Sequence, residues 1–206
     1  MLKQTVLLGS IIVCLIISSC SSTKIISSWS EPNKTIALNK LKKVLVVALF
    51  KSEDSRHNAE DQMVVYLKGT GVVSYKYLEP NFRHQNVVTS SDKIKADGFD
   101  GTITMRLLDV EKEKIFVSRH FYDGRGDYPN FGNYYERNYF FNASPDYYDT
   151  TKTFTIETVV FSIKENRIIW TAITKTVDPD GISAMTAEIS KIIYNKMLSD
   201  GFITKN

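Results

Sequence analysis

The residue of this sequence whose chemistry is most evident from its surroundings is Cys20, a thiol at the end of an export signal. Lys3 gives the amino terminus a positive charge, and an apolar run follows from Val6 to Ile17. Two serines separate that run from the cysteine. Because the run is well short of the ~20 residues that span a bilayer, the sequence predicts a cleaved signal peptide over residues 1–19.

The charged start, the short apolar run and the small residues before Cys20 resemble the signal sequences of bacterial lipoproteins. In that class a dedicated peptidase cuts before the cysteine, and the cysteine sulfur carries a diacylglyceryl group. The resemblance implies a lipid anchor on Cys20 and attachment to the outer membrane, facing the periplasm. Since Cys14 lies in the predicted signal, no thiol is left to form a disulfide, and stability must come from packing.

Other side chains that could do chemistry lack the spacing that chemistry requires. His57, His84 and His120 are the three histidines, and no two of them stand at ligand spacing. The sequence has no HExxH motif, no cysteine pair and no GxSxG motif. Glu111 and Glu113 alternate with lysines, as in a solvated ribbon. We therefore predict no metal site, no cofactor and no enzymatic activity.

The charge of the chain argues against nucleic acid as a partner. Removal of residues 1–19 takes away only Lys3, which leaves 25 of the 26 lysines and arginines against 23 acidic residues. No dense basic run is present, and an exported, anchored protein has little access to nucleic acid. We predict a membrane contact through the lipid, and no nucleic acid partner.

The remaining 187 residues suit a single domain. Residues 20–39 are polar and predict a tether, with a short strand at Lys24 to Trp29, and residues 40–206 predict the domain. The apolar run Lys43 to Phe50 predicts a central strand covered on both faces. A helix with an apolar face follows from Glu53, and Val72 to Leu78 predicts a second strand.

A helix from Ser91 to Ala96 and a strand from Thr102 to Val110 continue this alternation, which indicates parallel pairing. Thr153 to Ile163 and Arg167 to Val177 are separated by three polar residues, which predicts an antiparallel hairpin. A last helix carries one apolar stripe and ends at Gly201. The predicted fold class is therefore α/β, with one mixed sheet and helices packed on it. Val46 and Ile189 are predicted core residues.

The order of these segments resembles a group of small gram-negative envelope lipoproteins of largely unassigned function. The similarity rests on the KKVLVVALF strand, on GFDGTITMRLLDV and on TFTIETVVFSIKENRIIWTAITKTVDP. At the level of the fold, the chain is also similar to periplasmic domains of the curli secretion-channel lipoprotein and of the Tol-system propeller protein. The resemblance implies an envelope protein, and it implies no particular chemistry.

The segment from residue 121 to residue 148 is unusually rich in aromatic residues. It has no clear period and is predicted to be a long loop, which is rare without a function. Tyrosine combines a flat apolar face with a polar tip, which suits protein interfaces and stacking on sugars. These aromatic residues could pack under the loop, bind a protein partner, or take part in binding or processing a glycan. The predicted partner-binding residues are Tyr122, Tyr128, Phe131, Tyr134, Tyr135, Tyr139, Phe140, Tyr147 and Tyr148.

Overall fold

The computed structural model describes residues 22–78, 87–117, 129–143 and 147–204. Helices alternate with parallel strands in the first half of the chain, and antiparallel strands dominate the second half. In chain order the elements are β1 (Thr23–Ser30), β2 (Ile36–Ala37), β3 (Val44–Leu49), α1 (Glu53–Val64), β4 (Gly71–Val73), α2 (Ser74–Tyr77), α3 (Val87–Ala96), β5 (Gly101–Val117), α4 (Phe131–Ala143), β6 (Tyr147–Ser162), β7 (Arg167–Val177), α5 (Gly181–Ser199) and β8 (Ile203–Thr204).

Within these ranges, six strands form one sheet in the order β1, β7, β6, β5, β3 and β4. β3 runs parallel to β4 and β5, and the other pairs in the sheet are antiparallel. The predicted fold class, an α/β domain with a mixed sheet, is therefore confirmed. β2 and β8 form a separate parallel pair. Among the described residues, no helix is long and apolar enough to cross a membrane.

The core lies between the sheet and the helices α1 and α5. Side chains of β3, β5, β6 and β7 pack there against Ala59 and Met63 of α1 and against Ile189 and Ile193 of α5. Val46 is fully buried, as predicted. The predicted ending of α5 is also present, because Gly201 has φ 68° and the amide of Phe202 donates to the carbonyl of Met197 at 3.0 Å.

The first strand lies where the sequence predicts a tether. β1 is an edge strand of the sheet, paired with β7 from Thr23 opposite Thr176 to Ser30 opposite Trp170. Its first residue is fixed by side chains, since the Thr23 hydroxyl donates to Glu188 at 2.8 Å and contacts the Thr176 hydroxyl at 2.9 Å. Residues 23–30 are therefore part of the six-stranded sheet, and residues 36–37 pair with β8.

Only Val72 and Val73 of the predicted strand from Val72 to Leu78 belong to a strand. β4 ends at Val73, and α2 begins at Ser74. The cause is the buried carboxylate of Glu60, which accepts hydrogen bonds from the amides of Ser74 at 2.6 Å and Tyr75 at 3.2 Å. Free amides at the start of a helix are the groups that such an acceptor stabilises. α3 also begins four residues earlier than predicted, at Val87.

The segment predicted to be one long aromatic loop contains regular structure. Residues 131–143 form α4, and β6 begins at Tyr147. β5 extends to Val117, seven residues beyond the predicted end, because it continues to pair with β6. Residues 118–128 and 144–146 lie outside the described ranges. The aromatic residues within the described part of this segment are therefore presented by a helix and by a paired strand.

Candidate functional site

The described part of α4 carries a stripe of exposed aromatic rings. Phe131, Tyr135 and Tyr139 follow each other at four-residue intervals, which places them along one side of the helix. Consecutive ring centroids are 5.8 Å apart in both pairs. Tyr134 lies beside them, and the exposed fractions of the four side chains range from 50% to 76%. We call these four residues the ring stripe.

A second exposed feature is the far part of the β5–β6 hairpin. The last register pair between β6 and β7 joins Thr153 to Val177, and beyond it β5 and β6 pair only with each other. This two-stranded arm comprises residues 111–117 and 147–153, and it rises about 20 Å beyond Val177 at roughly 3.3 Å per residue. Phe116 and Tyr148 face each other near its tip, with ring centroids 5.4 Å apart. Both rings are more than half exposed.

Basic and acidic side chains of the arm lie on opposite faces. Residues directly opposite in the register share a face, and faces alternate along each strand. One face carries Lys112, Lys114 and Lys152 together with Phe116 and Tyr148, and we call it the lysine face. The other face carries the acidic side chains of the arm, and we call it the acidic face. Its charged residues are Glu111, Glu113 and Asp149.

The amino terminus of the described chain lies at the base of this arm. The amide of Val177 donates to the carbonyl of Ser22 at 3.1 Å. We call this end of the sheet, where β1 begins and β7 finishes, the arm end. An apolar groove of about 590 Å³ opens there, and Leu49, Phe154 and Ile182 are among its lining residues. Apolar side chains exposed at this end, arm included, are Leu49, Leu107, Leu108, Ile115, Phe116, Tyr148, Val177 and Ile182.

The predicted site residues are distributed as follows. Phe131, Tyr134, Tyr135 and Tyr139 form the ring stripe, and Tyr148 lies on the arm. Phe140 belongs to α4 and Tyr147 begins β6, and their side chains lie outside the described part of the structure. Cys20, Tyr122 and Tyr128 also lie outside the described residues. The sequence interpretation missed Phe116 and the lysine face, although the alternation of Lys112 and Lys114 with acidic residues was visible.

Glu60 is the buried acid of the domain, and its contacts are structural. Its carboxylate is fully buried and accepts from the amide of Ala48 at 3.0 Å, from the Ser74 hydroxyl at 2.6 Å and from Arg56 at 3.3 Å. It also accepts the hydrogen bonds from the amides of Ser74 and Tyr75 described above. This carboxylate joins α1, β3 and α2, because one side chain satisfies donors from all three.

A second polar cluster lies on the surface at the end of α3. Asp97 accepts hydrogen bonds from Lys93 at 2.7 Å and from the Tyr77 hydroxyl at 2.5 Å. The hydrogen bond from Lys93, and after it the one from Tyr77, holds the pKa of the Asp97 carboxyl below its usual value. Burial and the bond to Asp97 raise the pKa of Tyr77. Asp97 is therefore a stable anion that accepts hydrogen bonds.

The end of the sheet opposite the arm contains an apolar cavity of about 450 Å³. Leu38, Met63, Ile103 and Phe202 are among its lining residues. At its rim Lys34 forms an ion pair with Glu165. Within the described ranges, no three His, Cys, Asp or Glu residues are grouped so that they could hold a metal ion.

Comparisons with known proteins give similarity at the level of structure. No family model matches the chain, and no curated protein matches it. A PelC dodecamer from Paraburkholderia phytofirmans gives a TM-score of 0.46 at 9% identity, covering 84% of this chain and 96% of that one. Lipoprotein GNA1162 from Neisseria meningitidis gives 0.40 at 8% identity, with 76% and 98% covered. The hypothetical protein CT253 from Chlamydia trachomatis gives 0.34 at 8% identity, with 78% and 97% covered.

Proposed function

We propose that this protein is exported, acylated on Cys20 and held at the periplasmic side of the outer membrane, where it acts as a non-enzymatic binding component of the cell envelope. The observation that carries this proposal is the ring stripe, because four large rings are exposed on one helix. Exposed aromatic residues in a group mark interaction sites, whereas scattered ones are common on any surface. The ring stripe is the proposed binding surface, and another envelope protein is its proposed partner.

The buried acid supports a binding role over a catalytic one. A general acid or base must exchange a proton with a substrate within hydrogen-bond reach. The carboxylate of Glu60 is instead enclosed by donors from the domain itself. A glycan is the second candidate ligand, because the rings of Tyr135 and Tyr139 lie within 22° of parallel and are more than half exposed, and sugars stack on tyrosine rings.

Replacement of Tyr134, Tyr135 and Tyr139 by serine should abolish capture of the partner while the protein stays folded. Serine and tyrosine have similar helix propensities, and exposed rings contribute little to the core. We expect the free energy of unfolding to change by less than about 1 kcal/mol. Cross-linking in intact cells should lose the product that the unchanged protein forms, and polysaccharide co-sedimentation separates the glycan alternative. A triple variant that unfolds would show that the stripe is core.

Acylation of Cys20 is the second testable part of the proposal. Mass spectrometry of the membrane-extracted protein should find acyl mass on Cys20 and no residues before it. Cys20→Ser should prevent processing or release the protein from the membrane, because several acyl chains give the stable anchoring that a single chain does not. A mature protein that begins at another residue, without acyl mass, would refute the anchor.

A further inference from the structure

We infer that the arm is a second membrane contact, in which the lysine face and the rings of Phe116 and Tyr148 bind the surface of an anionic phospholipid bilayer. This inference rests on the acylation of Cys20 proposed above, and it concerns residues other than the ring stripe. The position of the amino terminus, the distribution of charge and the distribution of exposed apolar side chains support it independently.

The first observation is the short distance between the anchor and the arm. Ser22 is hydrogen-bonded at the base of the arm, and Cys20 precedes it by two residues, which span at most about 7 Å. The arm rises about 20 Å from the same level. The polar layer of a bilayer is only about 5 to 8 Å thick on each side. With its acyl chains inserted, Cys20 holds the base within about 7 Å of the lipid surface, so the arm, which is about 20 Å long, can reach the headgroups.

The second observation is the charge of the lysine face. Lys112 and Lys152 are direct cross-strand partners, an arrangement that is unfavourable without a counter-charge. Lys114 adds a third cation to the same face. Each lysine near an anionic lipid surface makes the free energy of membrane binding more favourable. The acidic residues of the arm lie on the opposite face, away from that surface. The arm therefore has one face suited to phospholipid headgroups.

The third observation is the composition of the arm end. Phe116 and Tyr148 are aromatic side chains next to the last described register pair of the arm, Val117 with Tyr147, and aromatic side chains are enriched at membrane interfaces. Leu49, Val177 and Ile182 are exposed at the base beside the groove. Apolar side chains are thus exposed at the end that the anchor holds against the lipid.

The test is flotation of residues 20–206, carrying Cys20→Ser so that no acyl chain contributes, with phospholipid vesicles. The chain should bind vesicles that contain phosphatidylglycerol and bind less to vesicles of phosphatidylcholine alone. Lys112→Gln, Lys114→Gln and Lys152→Gln together should reduce the partition coefficient by about tenfold or more. Phe116→Ser with Tyr148→Ser should also reduce it by about tenfold.

Matched controls lie at the opposite end of the sheet. Lys42→Gln, Lys95→Gln and Lys164→Gln make the same change in net charge on exposed lysines. Trp29→Ser removes an exposed aromatic ring near the far end of β1. Both controls should bind vesicles as the parent chain does. If the controls lost as much vesicle binding as the arm variants, the binding would be nonspecific electrostatic attraction, and the proposed contact would be refuted. Absence of binding to anionic vesicles would also refute it.

A depth measurement in the acylated protein separates this inference from the anchor itself. Once Cys20 is acylated, an introduced cysteine is the only free thiol within residues 20–206. Fluorescent labels at Tyr148→Cys, Val177→Cys and Trp29→Cys should be quenched by brominated lipid in that decreasing order. Acylated protein with quenching at Tyr148 no stronger than at Val177 would refute the arm contact and leave the anchor intact. Loss of acylation would refute the proposed function, and flotation would still report on the arm.

Discussion

Glu60→Ala should lower the free energy of unfolding by about 3 to 5 kcal/mol, a large share of the stability of an ordinary domain. The substitution removes one acceptor from several donors at once. The amides of Ala48, Ser74 and Tyr75 would lose their partner, and buried donors without a partner are costly. Chemical denaturation followed by circular dichroism measures the effect.

Glu53→Ala is the matched control for this substitution. Glu53 lies on the same helix and also contacts Arg56, at 3.2 Å, but its side chain is 55% exposed. Exposed ion pairs contribute little, so we expect a change below about 1 kcal/mol. Glu60→Gln keeps the side-chain volume but replaces one acceptor oxygen by a donor. Its loss of unfolding free energy should therefore lie between those of Glu60→Ala and Glu53→Ala. Equal midpoints for Glu60→Ala and Glu53→Ala would show that the buried carboxylate is not a structural centre.

Ile189→Ala should lower the free energy of unfolding by about 2 to 4 kcal/mol. Ile189 lies in the middle of α5, is only 2% exposed and belongs to the cluster between the helices and the sheet. Alanine removes three carbon atoms there, and the surrounding strands and α1 are held by their own contacts and cannot fully close the cavity. Thermal and urea denaturation both report this loss.

Ile182→Ala provides the comparison on the same helix. It makes the same chemical change in the first turn of α5, at a side chain that is 43% exposed. We expect a loss of about 0.5 kcal/mol, because little apolar area leaves a buried environment. A similar loss for both variants would contradict the assignment of Ile189 to the core and of Ile182 to the surface.

The sequence predicted the elements whose side chains follow a strong period. β3, the hairpin of β6 and β7, and α5 each carry enough apolar residues to determine their type locally. The sequence signal for β1 is weaker, because an edge strand with exposed positions has little hydrophobic pattern to detect. The start of α2 was not predictable from local sequence, since the acceptor that stabilises it, Glu60, lies 14 residues earlier.

The candidate site was predictable in part. The density of aromatic residues predicted that residues 121–148 are unusual, but Phe131, Tyr135 and Tyr139 already stand at helical spacing, which the interpretation of the segment as a loop overlooked. The lysine face needs the register of two strands, because Lys152 joins Lys112 and Lys114 only through pairing. The register between two strands that are distant in sequence cannot be predicted from the sequence of either strand alone.

The pairing of β1 with β7 joins two parts of the chain that are far apart in sequence. Thr23 and Thr176 are 153 residues apart, so closing that contact costs more chain entropy than forming the local β6–β7 hairpin. In the export that we propose, the amino terminus is delivered first, and β1 can pair with β7 only after β7 has crossed the membrane. The residues next to the proposed lipid site would then stay accessible during translocation, and the sheet edge that holds them would be completed late in folding.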